Sequence, residues 1–328
     1  MNGGNKVIFQ HVALLRAGGH EVTVLGEGPR PGWAGFDGPY HDRAAEPPRI
    51  PSQDLVIATF WTTLPPARRL GAGPVAHFCQ GYEGGLVHLA ALRPKIEEVY
   101  AWPLPALVTS PHLGDFLRAR FSRESALAPP PLDPLFRPGR LPRLGPRRRP
   151  WIALPGIFEA EVKGVPTALE AIRRLRGDCI AARVLRFTFL ALSDAERNLL
   201  IPDRYLCGVP PPEIARALRG CDLLLFPSRP EEGFGLPLLE AMASGVPAVA
   251  SRIPSTLHFA AAAVPLVPPG DAAALAVAAG TLLRDRRAWR QARARGVEAA
   301  AAFAPDVVAP RLFDAVRWAA AQPAAPAP

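Results

Sequence analysis

The amino-acid sequence predicts an α/β protein of about two domains with parallel sheets. The chain has 328 residues, about two domains' worth at roughly 150 residues each. Both halves alternate short apolar runs with helical patterns, an order typical of parallel sheets. Hydrophobic residues make up 49% and charged residues 20%, ordinary globular usage that excludes collagen, coiled coil and wholesale disorder.

The charge and cysteine content restrict the class of protein further. The net charge is +9 and three of the 38 basic residues are lysines, yet no nucleic-acid-binding motif accompanies the charge. We therefore expect phosphorylated substrates or an anionic membrane surface as partners, and no nucleic acid. The four cysteines contain no C-x-x-C pair, which argues against a disulfide framework or zinc site and favours a reducing compartment. No secretory or transmembrane segment is predicted, so we expect a cytoplasmic protein.

The first half begins with a helical pattern over residues 5–17, which Gly18 and Gly19 end. An apolar run over residues 20–25 follows and predicts a buried strand. Further strands are predicted at residues 54–59, 74–78 and 107–110.

Residues 137–150 carry six arginines and several prolines, a composition that predicts a solvated linker rather than a binding patch. The predicted domains are therefore residues 1–141 and 142–305. Residues 306–328 are predicted to form a last helix and a disordered tail, which begins at Ala319.

The second half repeats the alternation of strands and helices. Strands are predicted at residues 151–154, 222–226 and 247–251, and helices at residues 166–176, 212–219, 237–243 and 272–284.

Residues 227–251 are the most informative stretch of the chain. They follow an apolar strand, pass through Gly233 and Gly235, and enter a helix. Helix N-termini bind phosphate groups, and the two glycines let a ligand approach the backbone closely. Glu232 lies before the turn and Glu240 lies eight positions later on the helix. One carboxylate can face a ligand over the helix start, and the other can accept hydrogen bonds from a diol such as ribose.

This stretch closely resembles the E-x7-E region of the retaining glycosyltransferases of family 4, which have the GT-B fold. The similarity extends to residues 2–6 with 17–22 (a glycine loop, helix and strand), 108–110, 132–138, 162–165 (the Lys-Gly site), 264–275, and a last helix over residues 306–318. The resemblance implies two Rossmann-like domains that face a central cleft.

The resemblance also implies an activity. A hexosyl- or pentosyltransferase of this family moves a sugar from a nucleotide-diphosphate-sugar to a saccharide or lipid-linked saccharide, with retention at the anomeric carbon. No metal and no cofactor is implied, and the sequence contains no D-x-D motif. We expect surface polysaccharide synthesis, with peripheral contact at the inner face of the cell membrane.

Site residues are carried over by the same resemblance. The candidate catalytic residues are Glu232, Lys163 and Gln80; the donor-binding residues are Glu240, Gly233, Phe234, Gly235, Leu236, Gly3 and Gly4; and the acceptor-side residues are His77 and Glu83. His77 falls within a strand pattern, so a core histidine is an equal alternative. Cys79 is interpreted as a small buried residue, because no basic partner is evident.

The sequence departs from the family pattern in several places. The opening strand expected before Gly3 is missing, and we hypothesise that the coding sequence begins upstream. Ile157 follows Gly156 where many relatives have an arginine, Pro130 and Pro131 replace an asparagine-glycine, and His258 falls where many have a glutamate.

Two alternatives stay open because of these departures. The first is an inert protein that binds a nucleotide-sugar and acts as a partner or scaffold. The second is another GT-B enzyme, such as a nucleotide-sugar epimerase or a phosphorylase.

Overall fold

The computed structural model describes residues 3–42, 50–140 and 143–323. In these residues the helices are α1 (Gly3–Ala17), α2 (Leu64–Leu70), α3 (Arg93–Tyr100), α4 (Pro111–Phe121), α5 (Val165–Gly177), α6 (Asp194–Leu199), α7 (Pro211–Arg219), α8 (Leu236–Ala243), α9 (Pro254–Phe259), α10 (Ala272–Arg284), α11 (Arg286–Ala301) and α12 (Pro305–Ala320). The strands are β1 (Val24–Gly26), β2 (Tyr40–Asp42), β3 (Val56–Ala58), β4 (Val75–Cys79), β5 (Ala106–Val108), β6 (Ser125–Leu127), β7 (Trp151–Pro155), β8 (Arg183–Thr188), β9 (Arg204–Cys207), β10 (Leu223–Phe226), β11 (Ala248–Ser251) and β12 (Leu266–Val267). The chain divides into unit 1, residues 1–131 and 305–328, and unit 2, residues 132–304.

Unit 1 contains two parallel sheets. One has four strands in the order β3-β4-β5-β6, and the other pairs β1 with β2. Helix α12 packs against α1, β5 and β6. The approach is close, since a Cβ on Gly18 would lie 2.5 Å from the Phe313 ring. Gly18, which follows the last residue of α1, therefore lies directly against α12.

Several sequence predictions for unit 1 need correction. Gly3 and Gly4 lie in the first turn of α1 rather than in a loop before it. The strand predicted over residues 20–25 begins only at Val24. Ala319 is buried in α12, so the disordered tail does not begin there. Residues 1–2 and 324–328, and the predicted domain boundary at residues 141 and 142, lie outside the described residues.

Unit 2 contains one parallel sheet of six strands in the order β12-β11-β10-β7-β8-β9. The buried central strands read as continuous apolar runs, as expected for a sheet covered on both faces. On one face, α5 and α10 bury Leu169, Ile172 and Leu275. On the other face, α7 and α8 bury Leu218 and Leu239. The positions of these helices follow from their apolar residues at helical spacing.

The arginine-rich segment before β7 is not a fully solvated linker, and the prediction is wrong at Arg143 and Arg147. Both guanidinium groups pair with the carboxylate of Asp222, which is fully buried. The same carboxylate accepts the backbone N–H groups of Arg147 at 3.0 Å and of Trp151 at 2.8 Å. This acid therefore fastens the segment to the amino ends of the central strands β7 and β10, because a buried charge needs several partners.

Candidate functional site

The loop between β10 and α8 carries the first predicted glutamate. Glu232 is only 9% exposed, and its backbone N–H donates to Arg229 O at 3.0 Å. The Ser228 hydroxyl donates to Glu232 Oε2 at 2.9 Å. Both contacts arise within the loop itself, so the turn that follows β10 orients this carboxylate.

Lys163 completes the cluster from the opposite side. Its amine donates to Glu232 Oε1 at 3.0 Å and to Oε2 at 2.8 Å. The Lys163 side chain keeps 31% of its surface exposed, so the ion pair lies at the border of solvent. The structure thus brings together two of the three residues that the sequence analysis assigned to catalysis, although 69 positions separate them.

Two glycines determine where Lys163 lies. Gly164 has φ +58°, and a Cβ there would lie 2.1 Å from Pro227 O, so no other residue fits without a shift of the backbone. Gly156 has φ +107°, and a Cβ there would lie 3.0 Å from Lys163 Cβ. A hydrogen bond of 2.8 Å from Arg229 N–H to Val162 O also joins the two loops.

Helix α8 begins directly after this cluster. Gly235 has φ +101°, and a Cβ there would lie 3.0 Å from the Phe226 ring. Leu236 opens the helix, and Gly233 lies partly exposed just before the turn. The start of α8 has no side-chain cap, so its amides form the positive end of the helix dipole.

Phe234 and Glu240 take different places around this helix. The Phe234 ring is buried and stacks on Phe259, with ring centroids 4.9 Å apart and planes at 4°. Only the backbone of Phe234 is therefore available to a ligand. Glu240 lies on α8 and is partly exposed. Its role in donor binding stays a prediction.

A buried ion pair beneath this site was missed by the sequence analysis. Arg186 on β8 and Glu196 on α6 are 0% and 1% exposed, and the Arg186 Nε donates to Glu196 Oε1 at 2.5 Å. Arg186 also donates to Leu154 O at 2.6 Å and to Gly156 O at 2.8 Å. An arginine within an apolar strand run was the available signal, because such a charge needs a buried partner.

Gln80, the candidate catalytic residue of unit 1, lies directly after the carboxyl end of β4. Gln80 is partly exposed, and its amide donates to Gly4 O at 3.3 Å. Gln80 and Gly4 are thus neighbours in the fold. Their catalytic and donor-binding roles stay predictions.

His77 lies fully inside unit 1. Its Nδ1 is 3.3 Å from Arg123 Nη1, and its Nε2 has no hydrogen-bond partner among the described residues. Burial, together with the nearby guanidinium charge, lowers the pKa of His77 well below its ordinary value. The imidazole is therefore neutral, and this environment is that of the core histidine that the sequence left open.

Glu83 is also buried, in the loop that follows β4. Burial raises its pKa from 4.5 to about 7. The Tyr100 hydroxyl, which contacts the Glu83 carboxylate, also lies 3.0 Å from Gly81 O. Beside them, burial raises the pKa of Cys79 to about 12, so its thiol stays protonated. That agrees with the interpretation of Cys79 as a small buried residue.

The sequence of unit 2 is similar to that of known proteins. Residues 149–285 match the model of the family described as Glycosyl transferases group 1. A segment of 112 residues is 37% identical to the phosphatidyl-myo-inositol mannosyltransferase of Mycobacterium leprae. The match covers 34% of this chain and 30% of that relative, so the chain matches about a third of the length of this curated protein.

Solved structures extend the likeness to both units. Sucrose-phosphate synthase from Thermosynechococcus elongatus superimposes with a TM-score of 0.74 at 20% identity, covering 97% of this chain and 93% of that one. HepE from Anabaena, in complex with UDP and glucose, gives a TM-score of 0.66 at 14% identity, over 81% of this chain and 78% of that one. The predicted α/β fold of the GT-B type is confirmed.

Within the described ranges, no helix combines the length and the apolar character needed to cross a bilayer.

Proposed function

We propose that this protein is a glycosyltransferase that takes a sugar from a nucleoside-diphosphate-sugar bound on unit 2. The observation that carries the proposal is the Lys163–Glu232 pair, with its amine 2.8 Å from the carboxylate, directly before the uncapped start of α8. A cation and a helix N-terminus in one place suit a diphosphate. The match of residues 149–285 to the group 1 glycosyltransferases supports the same assignment.

The chemistry explains why these groups are useful together. As the bond from the sugar to the diphosphate breaks, negative charge grows on the leaving oxygen. Lys163 and the backbone amides of residues 233–236, at the start of α8, stabilise that charge more in the transition state than in the ground state. We propose that this arrangement does the work of a divalent metal in a transfer that retains the anomeric configuration.

Glu232 and Glu240 have separate roles in this proposal. Glu232 accepts hydrogen bonds from the Lys163 amine in the free protein. When the diphosphate binds this amine, Glu232 accepts hydrogen bonds from the hydroxyls of the donor sugar. Glu240, eight positions later on α8, accepts the ribose hydroxyls. The carboxylate oxygens are acceptors only, so each suits a diol rather than a phosphate.

We propose a saccharide or lipid-linked saccharide as the acceptor, in the synthesis of surface polysaccharide at the inner face of the membrane. The similarity to a phosphatidyl-myo-inositol mannosyltransferase supports a lipid-linked one. The HepE complex with UDP and glucose supports a nucleotide-sugar donor.

The test is thermal unfolding of the purified chain with UDP, GDP, dTDP and ADP in turn. A nucleotide at about 100 times its Kd adds roughly 2.7 kcal/mol, which raises Tm by several degrees in a protein of this size. We expect a shift with one base, its loss in Lys163→Ala, and its retention in Lys95→Ala, a control at an exposed lysine. No shift with any nucleotide, on folded protein, refutes the donor site.

Product analysis with the matching nucleotide-sugar then separates the alternatives. Transfer to a saccharide or lipid-linked acceptor supports the proposal. Binding without turnover favours the inert scaffold. A changed sugar with no acceptor favours an epimerase, and consumption of inorganic phosphate favours a phosphorylase.

A further inference from the structure

The buried Arg186–Glu196 pair lies against the end of strand β7. In the parallel pairing of β7 with β8, Leu154 is the partner of Arg186. The guanidinium crosses this pairing and donates to the carbonyls of Leu154 and Gly156, at 2.6 and 2.8 Å. The Arg186 side chain therefore holds the end of β7, directly before the loop that carries Lys163.

Glu196 makes this arrangement stable inside the protein. Its carboxylate accepts two hydrogen bonds from Arg186, at 2.5 and 3.3 Å, and both side chains are essentially without solvent contact. An isolated guanidinium at this depth would be very costly, whereas a paired and hydrogen-bonded one is tolerated. Burying an ion pair costs more desolvation free energy than burying an apolar contact. The position of this pair against two carbonyls therefore suggests a role beyond packing.

Gly156 connects the pair to Lys163. With φ +107°, this residue has a backbone conformation that glycine adopts without strain and that other residues rarely adopt. Its carbonyl is held by Arg186, and its Cα faces the Lys163 side chain so closely that a Cβ would approach Lys163 Cβ to 3.0 Å. Any rotation of the Gly156 peptide therefore changes the surface against which Lys163 packs.

We propose that Arg186, neutralised by Glu196, is a positioning residue for Lys163. By fixing the Gly156 peptide, it keeps the Lys163 amine at the Glu232 carboxylate and ready for the diphosphate. The planar fork of the guanidinium suits this task, because it reaches two carbonyls at once with little freedom. The inference rests on the proposed function, but the position of Lys163 can be measured without any nucleotide.

The scarcity of lysine makes that measurement direct. Lys6, Lys95 and Lys163 are the only lysines in the chain, and Lys95 is exposed. Brief acylation with N-hydroxysuccinimidyl acetate, read by peptide mass spectrometry, gives the rate at Lys163 relative to Lys95 in the same molecule. An amine held in an ion pair at a partly buried carboxylate reacts slowly.

The main variant is R186M/E196L, which replaces the pair by apolar side chains and leaves no unpaired charge behind. We expect the Lys163 to Lys95 ratio to rise at least threefold, with a cooperative unfolding transition retained. Arg197→Met is the matched control, because it removes an exposed arginine from the same helix and leaves Arg186 in place. Its ratio is expected to equal that of the unmodified protein.

Glu196→Gln gives a second measurement, which preserves the shape of the buried site but leaves the Arg186 charge without its acid. We expect at least a twofold rise in the ratio, since the amide holds Arg186 less firmly. An unchanged ratio in whichever of the two variants is folded overturns the inference. A different result is a ratio that rises in the variants while no nucleotide raises the Tm of the unmodified protein. That result supports the positioning role of Arg186 and refutes the donor site instead.

Discussion

The Lys163 amine lies within 3.0 Å of both carboxylate oxygens of Glu232. If the donor binds as proposed, its diphosphate and this carboxylate compete for one cation. In the proposed reaction, the diphosphate of the donor replaces Glu232 as the partner of the Lys163 amine.

The first prediction concerns this competition. Glu232→Gln removes a hydrogen bond between charged groups, worth about 1.5 kcal/mol or more, so we expect roughly tenfold tighter nucleotide binding. Transfer is expected to fall at the same time, because the donor sugar loses its carboxylate. Titration by calorimetry measures the first effect. Glu231→Gln, at the exposed neighbouring glutamate, is the control; weaker binding in Glu232→Gln would contradict the exchange.

A second prediction concerns Glu240. Glu240→Ala removes the proposed acceptor of the ribose hydroxyls, and we expect nucleotide affinity to fall by about tenfold or more, as for a lost bond to a charged group. Affinity for inorganic pyrophosphate should stay unchanged, since it has no ribose. Glu298→Ala, at an exposed position of α11, is the control. Equal losses for both ligands would assign Glu240 to the fold rather than to ribose.

The third prediction concerns Gly164, whose added Cβ would lie 2.1 Å from Pro227 O at φ +58°. Gly164→Ala must move the loop that carries Lys163, and we expect a loss of at least 1–3 kcal/mol in stability. Gly139→Ala is a suitable comparison, because nothing lies within 4 Å of its added Cβ. Chemical denaturation compares the two. A Gly164→Ala protein with unchanged stability and nucleotide binding would show that this contact is easily relieved.

A fourth prediction is a pH dependence set by Glu83, whose pKa burial raises from 4.5 to about 7. The folded state holds the proton more tightly than the unfolded state. The stability contributed by Glu83 is therefore complete below pH 4.5 and is lost as the pH rises to about 7, by about 3 kcal/mol. Glu83→Gln should abolish this loss, so the variant gains stability over the original protein between pH 4.5 and 8. The prediction is refuted if the difference in stability between the variant and the original protein is the same at pH 4.5 and at pH 8.

A fifth prediction concerns Asp222, which is fully buried beneath Arg143 and Arg147. Asp222→Ala leaves two guanidinium groups without their acid, and we expect a loss of about 3–5 kcal/mol. Arg147→Gln removes a side chain that is 46% exposed and should cost much less. Denaturation in urea measures both variants. Equal small losses would mean that the segment before β7 is as solvated as its composition suggests.

Part of unit 2 was predictable, because the central strands β7, β10 and β11 are largely buried and read as apolar runs. The strands β8, β9 and β12 were not predicted. The predicted helix over residues 272–284 matches α10 residue by residue. In unit 1, β1 and β2 span three residues each, too few to produce a clear pattern, and the predicted strand at residues 20–25 was misplaced. Helix α11 was missed because its mixture of arginine and alanine gives a weak apolar stripe.

The sequence by itself determined the alternation of strands and helices, the central strands of unit 2, the Gly-x-Gly turn before α8, and the residue types at the proposed donor site. These follow from local spacing, since apolar periodicity and glycine act over a few residues. Only the tertiary structure decided that Lys163 meets Glu232 and that Arg186 and Glu196 lie beneath Gly156. It also placed His77 in the core and joined the arginines before β7 to Asp222. Such contacts join residues that lie far apart in the chain, and burial, which shifts the pKa of Glu83 and His77, exists only after the chain has packed.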